Sequence, residues 1–204
     1  MNWHLFSAFL LITVIFFLTP GPIVTLVVTT AARRGTRAGL LTVAGASTGN
    51  AVLIALIAVG LSWILKASAE VFEVLRWAGA AYLVWLGIQA WRGSSGSGTE
   101  IATGGHVFAR RGFMVAMTNP KSIAFFTAFL PQFVDATLPL GHQLLLMCTT
   151  AIVIGAVLDC GWAVAAGYGR SWFLTSKHNR LLDRISGAVL IGGGIWLSLA
   201  RRPG

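Results

Sequence analysis

Six runs of mostly apolar residues follow one another along the chain: Leu5–Val28, Gly39–Leu65, Val71–Trp91, Gly112–Val134, Leu140–Tyr168 and Leu181–Leu199. A helix of about 20 such residues crosses a hydrocarbon core of ~30 Å. The pattern therefore predicts an all-α integral membrane protein with six transmembrane helices. Charged residues make up only 10% of the 204 positions and hydrophobic ones 56%, where a soluble domain carries roughly 25% charged. Water could not solvate a chain with so much apolar surface. The sixth run is the weakest, because Asp183 and Arg184 shorten it and Gly192, Gly193 and Gly194 loosen it.

The formal charge of +9 does not point to nucleic acid, since no basic patch is interleaved with aromatics. The cations fall in short clusters between the apolar runs, as in the loops of membrane proteins. Ten of the fifteen Lys and Arg lie in three connections: Arg33, Arg34 and Arg37; Arg92, Arg110 and Arg111; Arg170, Lys177, Arg180 and Arg184. The positive-inside rule then places these loops in the cytoplasm and both termini outside. Lys66, Arg76, Arg201 and Arg202 fall on the opposite side, and the last two fit poorly, which leaves five spans as an alternative. The N-terminal "MNWHLFSAFLLITVIFF" lacks the basic start of a secretory signal and reads as a mature first span. Trp3, Trp63, Trp91 and Trp172 fall near span ends, as interfacial belts do.

The stretch "GSSGSGTE" (Gly93–Glu100) is a flexible linker. It divides a single transporter domain, residues 1–204, into halves of about 1–92 and 110–204 joined by 93–109. "LTPGP" (Leu18–Pro22) breaks the first span and "MTNPK" (Met117–Lys121) the fourth. "GASTGN" (Gly45–Asn50) in the second span is matched by "GAVLDC" (Gly155–Cys160) in the fifth. With three spans each, the halves would have opposite orientations, an inverted repeat.

The polar residues inside these spans are expected at similar depth. Counting about 1.5 Å per residue from the flanking arginines puts Lys121 roughly 14 Å deep, Asp159 roughly 16 Å, and Pro20 and Asn50 each near ~20 Å. Pro20 and Pro22 cannot donate, so the carbonyls of Phe16 and Leu18 lose helical partners, and Pro120 frees that of Ala116. Backbone exposed at this depth survives only against protein or a water-filled cavity. The half-helix that restarts after each break, with Gly21 and Pro22 or Asn119 and Pro120 at its start, offers free N–H groups to an anion. The alternative is a plain kink sealed by the Thr19 and Thr118 hydroxyls.

An ionisable side chain at mid-bilayer costs at least ~2.5–3.5 kcal/mol on insertion scales, so Lys121 and Asp159 need a partner or a use. Lys121 could attract a substrate carboxylate, act as counter-ion to Asp159, or snorkel. Asp159 is the acidic residue well inside a span, and its protonation answers both to burial and to nearby charge. A static Lys121–Asp159 pair joining two spans is the bland reading, and Asn50 could be interhelical glue. Gly45 and Gly49 form a small-xxx-small pair, read as internal close packing.

At these residues the chain resembles the LysE/RhtB family of bacterial amino-acid exporters, and the resemblance covers nearly its whole length. It rests on "TPGP", "RRGTRAGLLTVAGASTGN", "WAGAAYLVWLGIQAWR", "NPKSIAFFTAFLPQF" and "LLDRISGAVLIGGGIWL". The resemblance implies a small inner-membrane carrier, not an enzyme, that exports amino acids or close derivatives on the proton gradient with no bound cofactor. By motif, Pro20, Gly21, Pro22, Asn119, Pro120 and Lys121 would line its pathway, with Asp159 at an acidic position.

Two rival classes make different demands. A membrane thiol–disulfide reductase needs a cysteine near each broken helix. Cys148 and Cys160 share one span and are on the order of 18 Å apart along it, beyond disulfide reach. A metal-ion exporter needs His, Asp or Cys clusters, whereas His4, His106, His142 and His178 are dispersed in ends and loops. One acid beside one lysine favours neutral over dibasic substrates. Homo-oligomerisation stays open.

Overall fold

The computed structural model describes residues 1–64, 69–92, 105–173 and 176–199. Among these the secondary structure is helical throughout, with no strand. The expected linker at Gly93–Glu100 and the cations Lys66, Arg201 and Arg202 lie outside the described residues, as do the side chains of Trp63, Lys177 and His178.

The chain enters through α1 (Trp3–Leu18), which is bent by 47° against α2 (Pro22–Arg34) at the Thr19–Gly21 break. Pro22 opens α2 at a position where its missing N–H costs nothing, and Gly21 before it is fully extended. The fourth expected span repeats the design. α5 (Gly105–Met117) and α6 (Pro120–Phe129), continued by a 3₁₀ turn (Leu130–Phe133), meet at 45° with Pro120 at the first helical position. Thr19 and Asn119, each preceding a proline, have ψ of 119° and 107°, outside helical geometry as the proline ring demands.

The second and fifth expected spans correspond to the unbroken helices α3 (Thr36–Ile64) and α7 (Leu140–Tyr168), each of 29 residues. A short α8 (Arg170–Phe173) follows α7. α4 (Ala69–Trp91) and α9 (Ser176–Leu199) stand where the third and sixth spans are expected. By length and composition α3 and α7 suffice to cross a membrane, and joining each bent pair raises the number to four. α4 and α9 are long enough but carry charges toward their N-terminal ends, including Glu73, Arg76, Arg180 and Asp183.

The pieces are held by close backbone approach. A Cβ at Gly45 would stand 1.8 Å from the Ala109 carbonyl oxygen, one at Gly49 2.6 Å from that of Phe113, and one at Gly112 2.1 Å from that of Thr42. The Gly45/Gly49 pair thus serves internal packing of α3 on α5. Gly105–Ala109, the end of the expected 93–109 linker, is helical in α5, and Ala109 packs on α3.

Two glycines of α9 serve close packing. Gly187 and Gly194 lie where a Cβ would meet the carbonyls of Gly87 at 2.6 Å and Ala80 at 2.8 Å, so α9 closes on α4. α6 is the central element. Lys121, Ser122, Ala124, Phe125, Phe126, Ala128 and Phe129 are all buried, and its phenylalanines join a core cluster with Phe9, Phe16, Leu130, Met147 and Leu197.

Candidate functional site at the helix breaks

Lys121 is one residue past the proline that starts α6 and is 5% exposed. Its ammonium reaches back to the other break, donating to the carbonyl oxygen of Phe16 at 2.8 Å and of Thr19 at 2.6 Å. The Phe16 carbonyl is the one that Pro20 leaves without a helical donor. A cation therefore caps the C-terminal end of α1, where the helix dipole favours positive charge. The same ammonium lies 4.4 Å from the centroid of the Phe16 ring, a cation–π contact. Two of its three donors are thus committed to backbone.

The other polar groups of the breaks are also paired. Thr19 and Thr118 hydroxyls bond the carbonyls of Ile15 at 2.6 Å and Met114 at 2.9 Å, one turn back, so neither seals the carbonyl that a proline frees. The Ala116 carbonyl accepts from the Asn119 backbone N–H at 3.2 Å. Asn119 caps α6, its side-chain oxygen accepting from the Lys121 backbone N–H at 3.1 Å while its amide donates to Ser122 at 2.8 Å. The start of α6 carries its own cap. On the opposite flank the Ser186 hydroxyl of α9 donates to the Pro20 carbonyl.

Gly21 is required by the lysine stem. A Cβ there would lie 2.9 Å from Lys121 Cδ. Thr19, Gly21, Asn119, Lys121, Ser122 and Asp159 border one cavity of about 20 Å³, room for about one water. Asp159 is 2% exposed, and its Oδ1 has no hydrogen-bond partner. Lys121 and Asp159 form no direct ion pair. Among the described residues, Arg76 instead pairs with Glu73 at 2.6 Å on α4.

Of the residues expected at the site, the structure brings Gly21, Asn119, Lys121 and Asp159 to this gap. Pro20 and Pro22 shape the break beside it. Asn50 is placed elsewhere: it is buried on α3 with its Oδ1 unpartnered, and it does not border the cavity. Sequence reasoning missed Ser122, Ser186 and the ring of Phe16, although it named the Phe16 carbonyl. It also missed a row of residues along α6 and the 3₁₀ turn after it, on which Lys121 is followed by Phe125, Phe129 and Phe133. Phe125 stacks on Phe16 at 4.0 Å and on Phe129 at 5.0 Å, and Phe129 on Trp196 of α9 at 5.4 Å. The spacing of four is visible in "KSIAFFTAFLPQF" and could have been read as one helical face.

Cys148 and Cys160 are free thiols on the same helix α7. Among the described residues, no three His, Cys, Asp or Glu side chains come together as a metal site would need.

Long apolar helices, two of them interrupted in mid-course, and a buried ammonium bound to one interruption define an integral membrane protein organised around broken helices. The chain belongs to the family of LysE type translocators, which it matches over residues 14–201. It is 35% identical over 205 residues to a homoserine/homoserine lactone efflux protein of Salmonella typhimurium, covering 98% of this chain and 99% of that one. It is 33% identical to an uncharacterized membrane protein of Vibrio cholerae over 98% and 100% of the two chains. A leucine efflux protein of Salmonella choleraesuis is 32% identical over 142 residues, 67% of each chain. No solved structure matches it.

Proposed function

We propose that this protein is a secondary exporter that carries amino acids out of the bacterial cytoplasm across the inner membrane, by proton antiport. The observation that carries the proposal is the Lys121–Asp159 gap: an ammonium with two donors on broken backbone faces a cavity that also holds a buried carboxylate oxygen with no partner. An isolated buried charge of this kind is costly, and an amino acid carries both of the charges that would answer it. The efflux functions in the names of the two Salmonella relatives support the same reading.

In this mechanism the substrate carboxylate takes the remaining donor of Lys121 and draws it away from the Phe16 and Thr19 carbonyls. That frees the end of α1, so substrate binding and helix movement become one event. Asp159 accepts a proton from outside when substrate leaves and releases it inward on return. The architecture we assign is six spans in two inverted halves, about 1–92 and 110–204, rocking about the breaks. The basic loops are cytoplasmic and both termini outside. No cofactor is needed beyond the gradient.

The test is efflux. Cells loaded with amino acids as dipeptides should excrete at least one amino acid faster when they express this protein than when they carry an empty vector. Equal excretion across all twenty amino acids would remove the function.

A further inference from the structure

A second, larger cavity of about 330 Å³ opens beside the gap, between α1, α4, α6 and α9. Its walls include Ile12, Ile15, Leu83, Phe125, Phe129 and Trp196, and its charged contributor is Lys121. Phe16 and Lys121 border both cavities, so the ammonium stands at their junction. The volume is at the lower end of the ~300–1,000 Å³ range of small-molecule sites.

An amino acid carries both charged groups on its α-carbon, and its side chain points away from them. If the charged end occupies the Lys121–Asp159 junction, the side chain must extend into one of the two spaces. The gap of about 20 Å³ holds no more than a water, which leaves the larger cavity. Among the described residues no Asp or Glu borders that cavity. A lysine or arginine side chain entering it would lose its hydration without gaining a counter-ion. A leucine or phenylalanine side chain would gain about 25 cal/mol for each Å² removed from water.

Two residues of α9 keep this space open. No atom lies within 4 Å of a Cβ built at Gly192, and one at Gly193 meets only the Phe129 ring edge, at 3.6 Å. Neither glycine is required by packing, unlike Gly187 and Gly194 of the same helix. What their missing side chains leave is volume.

Resting on the exporter reading, we propose that this cavity receives the side chain of the transported amino acid, selects neutral apolar side chains, and takes its size limit from Gly192 and Gly193. The filter is steric: shortening the cavity from the α9 side excludes large side chains and spares small ones.

The experiment compares efflux of alanine, leucine and lysine, each supplied as a dipeptide, for the unmodified protein, Gly193→Ala, Gly193→Val and Gly192→Ala. Gly141→Ala, at the far end of α7 where a Cβ meets nothing within 4 Å, is the control. The unmodified protein and the control should export leucine in preference to lysine. Gly193→Val should lower the leucine-to-alanine ratio by about tenfold or more, the discrimination that a methylene or two in a tight apolar pocket commands. Alanine is the better helix former than glycine, so Gly193→Ala and Gly192→Ala keep the test intact if the valine variant fails to accumulate. An unchanged ratio in the alanine variants, or lysine exported as fast as leucine, would overturn the side-chain site while leaving the exporter standing. A protein that exports no amino acid at all would remove both.

Discussion

Lys121 is where sequence and structure differ most usefully. Its burial was legible from the apolar run around it, and the freed Phe16 carbonyl from Pro20. That the two satisfy each other was not, because the contact spans 105 positions and depends on how α1 and α6 cross. Lys121→Met would remove the donor from two buried carbonyls, at about 1–3 kcal/mol for each group left unsatisfied. It should therefore lower thermal stability as well as stop transport, whereas Lys121→Arg should retain most of the stability. Melting curves of the purified variants check this. Gly21→Val should behave as a milder Lys121 variant, since its side chain displaces the lysine stem 2.9 Å away without deleting the charge.

Asp135 gives a second prediction at this scale, outside the spans. Its carboxylate accepts from the Thr137 hydroxyl at 2.6 Å, from the Asn2 amide at 3.0 Å and from the Thr137 backbone N–H at 3.0 Å. These bonds, the Thr137 side chain foremost, hold its pKa below the ordinary carboxylate value. A depressed pKa means that the folded state favours the ionised form, so the stabilisation is complete above the ordinary value and disappears as pH falls through the lowered one. The melting temperature should drop below about pH 4, and Asp135→Asn should flatten that drop. A steeper fall in the variant would contradict it.

At the scale of elements, the breaks and the glycine contacts carry the fold. The positions of both bends were legible because proline acts locally, through a missing N–H and a clash. The role of each glycine was only partly so, since spacing alone does not separate a helix contact from an open space. Gly45/Gly49 read correctly as packing, while the run Gly192–Gly194 read as a weakness and instead divides between a cavity wall and a contact with α4. Gly45→Leu should prevent α3 from approaching α5, because even a Cβ would overlap the Ala109 carbonyl. Overpacking of a core typically costs about 1–3 kcal/mol, and a rigid backbone partner leaves little room for relief. Membrane abundance of Gly45→Leu, measured by quantitative immunoblot, should fall well below that of Gly192→Ala.

At the scale of the whole molecule, an all-helical membrane protein follows from hydropathy alone, and the family from a few motifs. The cavities follow from neither. They depend on how α1, α4, α6 and α9 diverge from one another, a relation set by tertiary packing that no periodicity in the chain encodes. In the proposed exporter, the gap and the larger cavity are the two ends of one substrate site and Asp159 is the group that would couple it to protons. The most direct measurement uses purified protein in liposomes loaded with labelled leucine, with the external medium made acidic relative to the interior. Leucine should leave faster than from vesicles without a gradient, and Asp159→Asn should abolish that acceleration. Leucine efflux indifferent to the gradient, or a variant accelerated as strongly as the unmodified protein, would contradict proton-coupled export through this site.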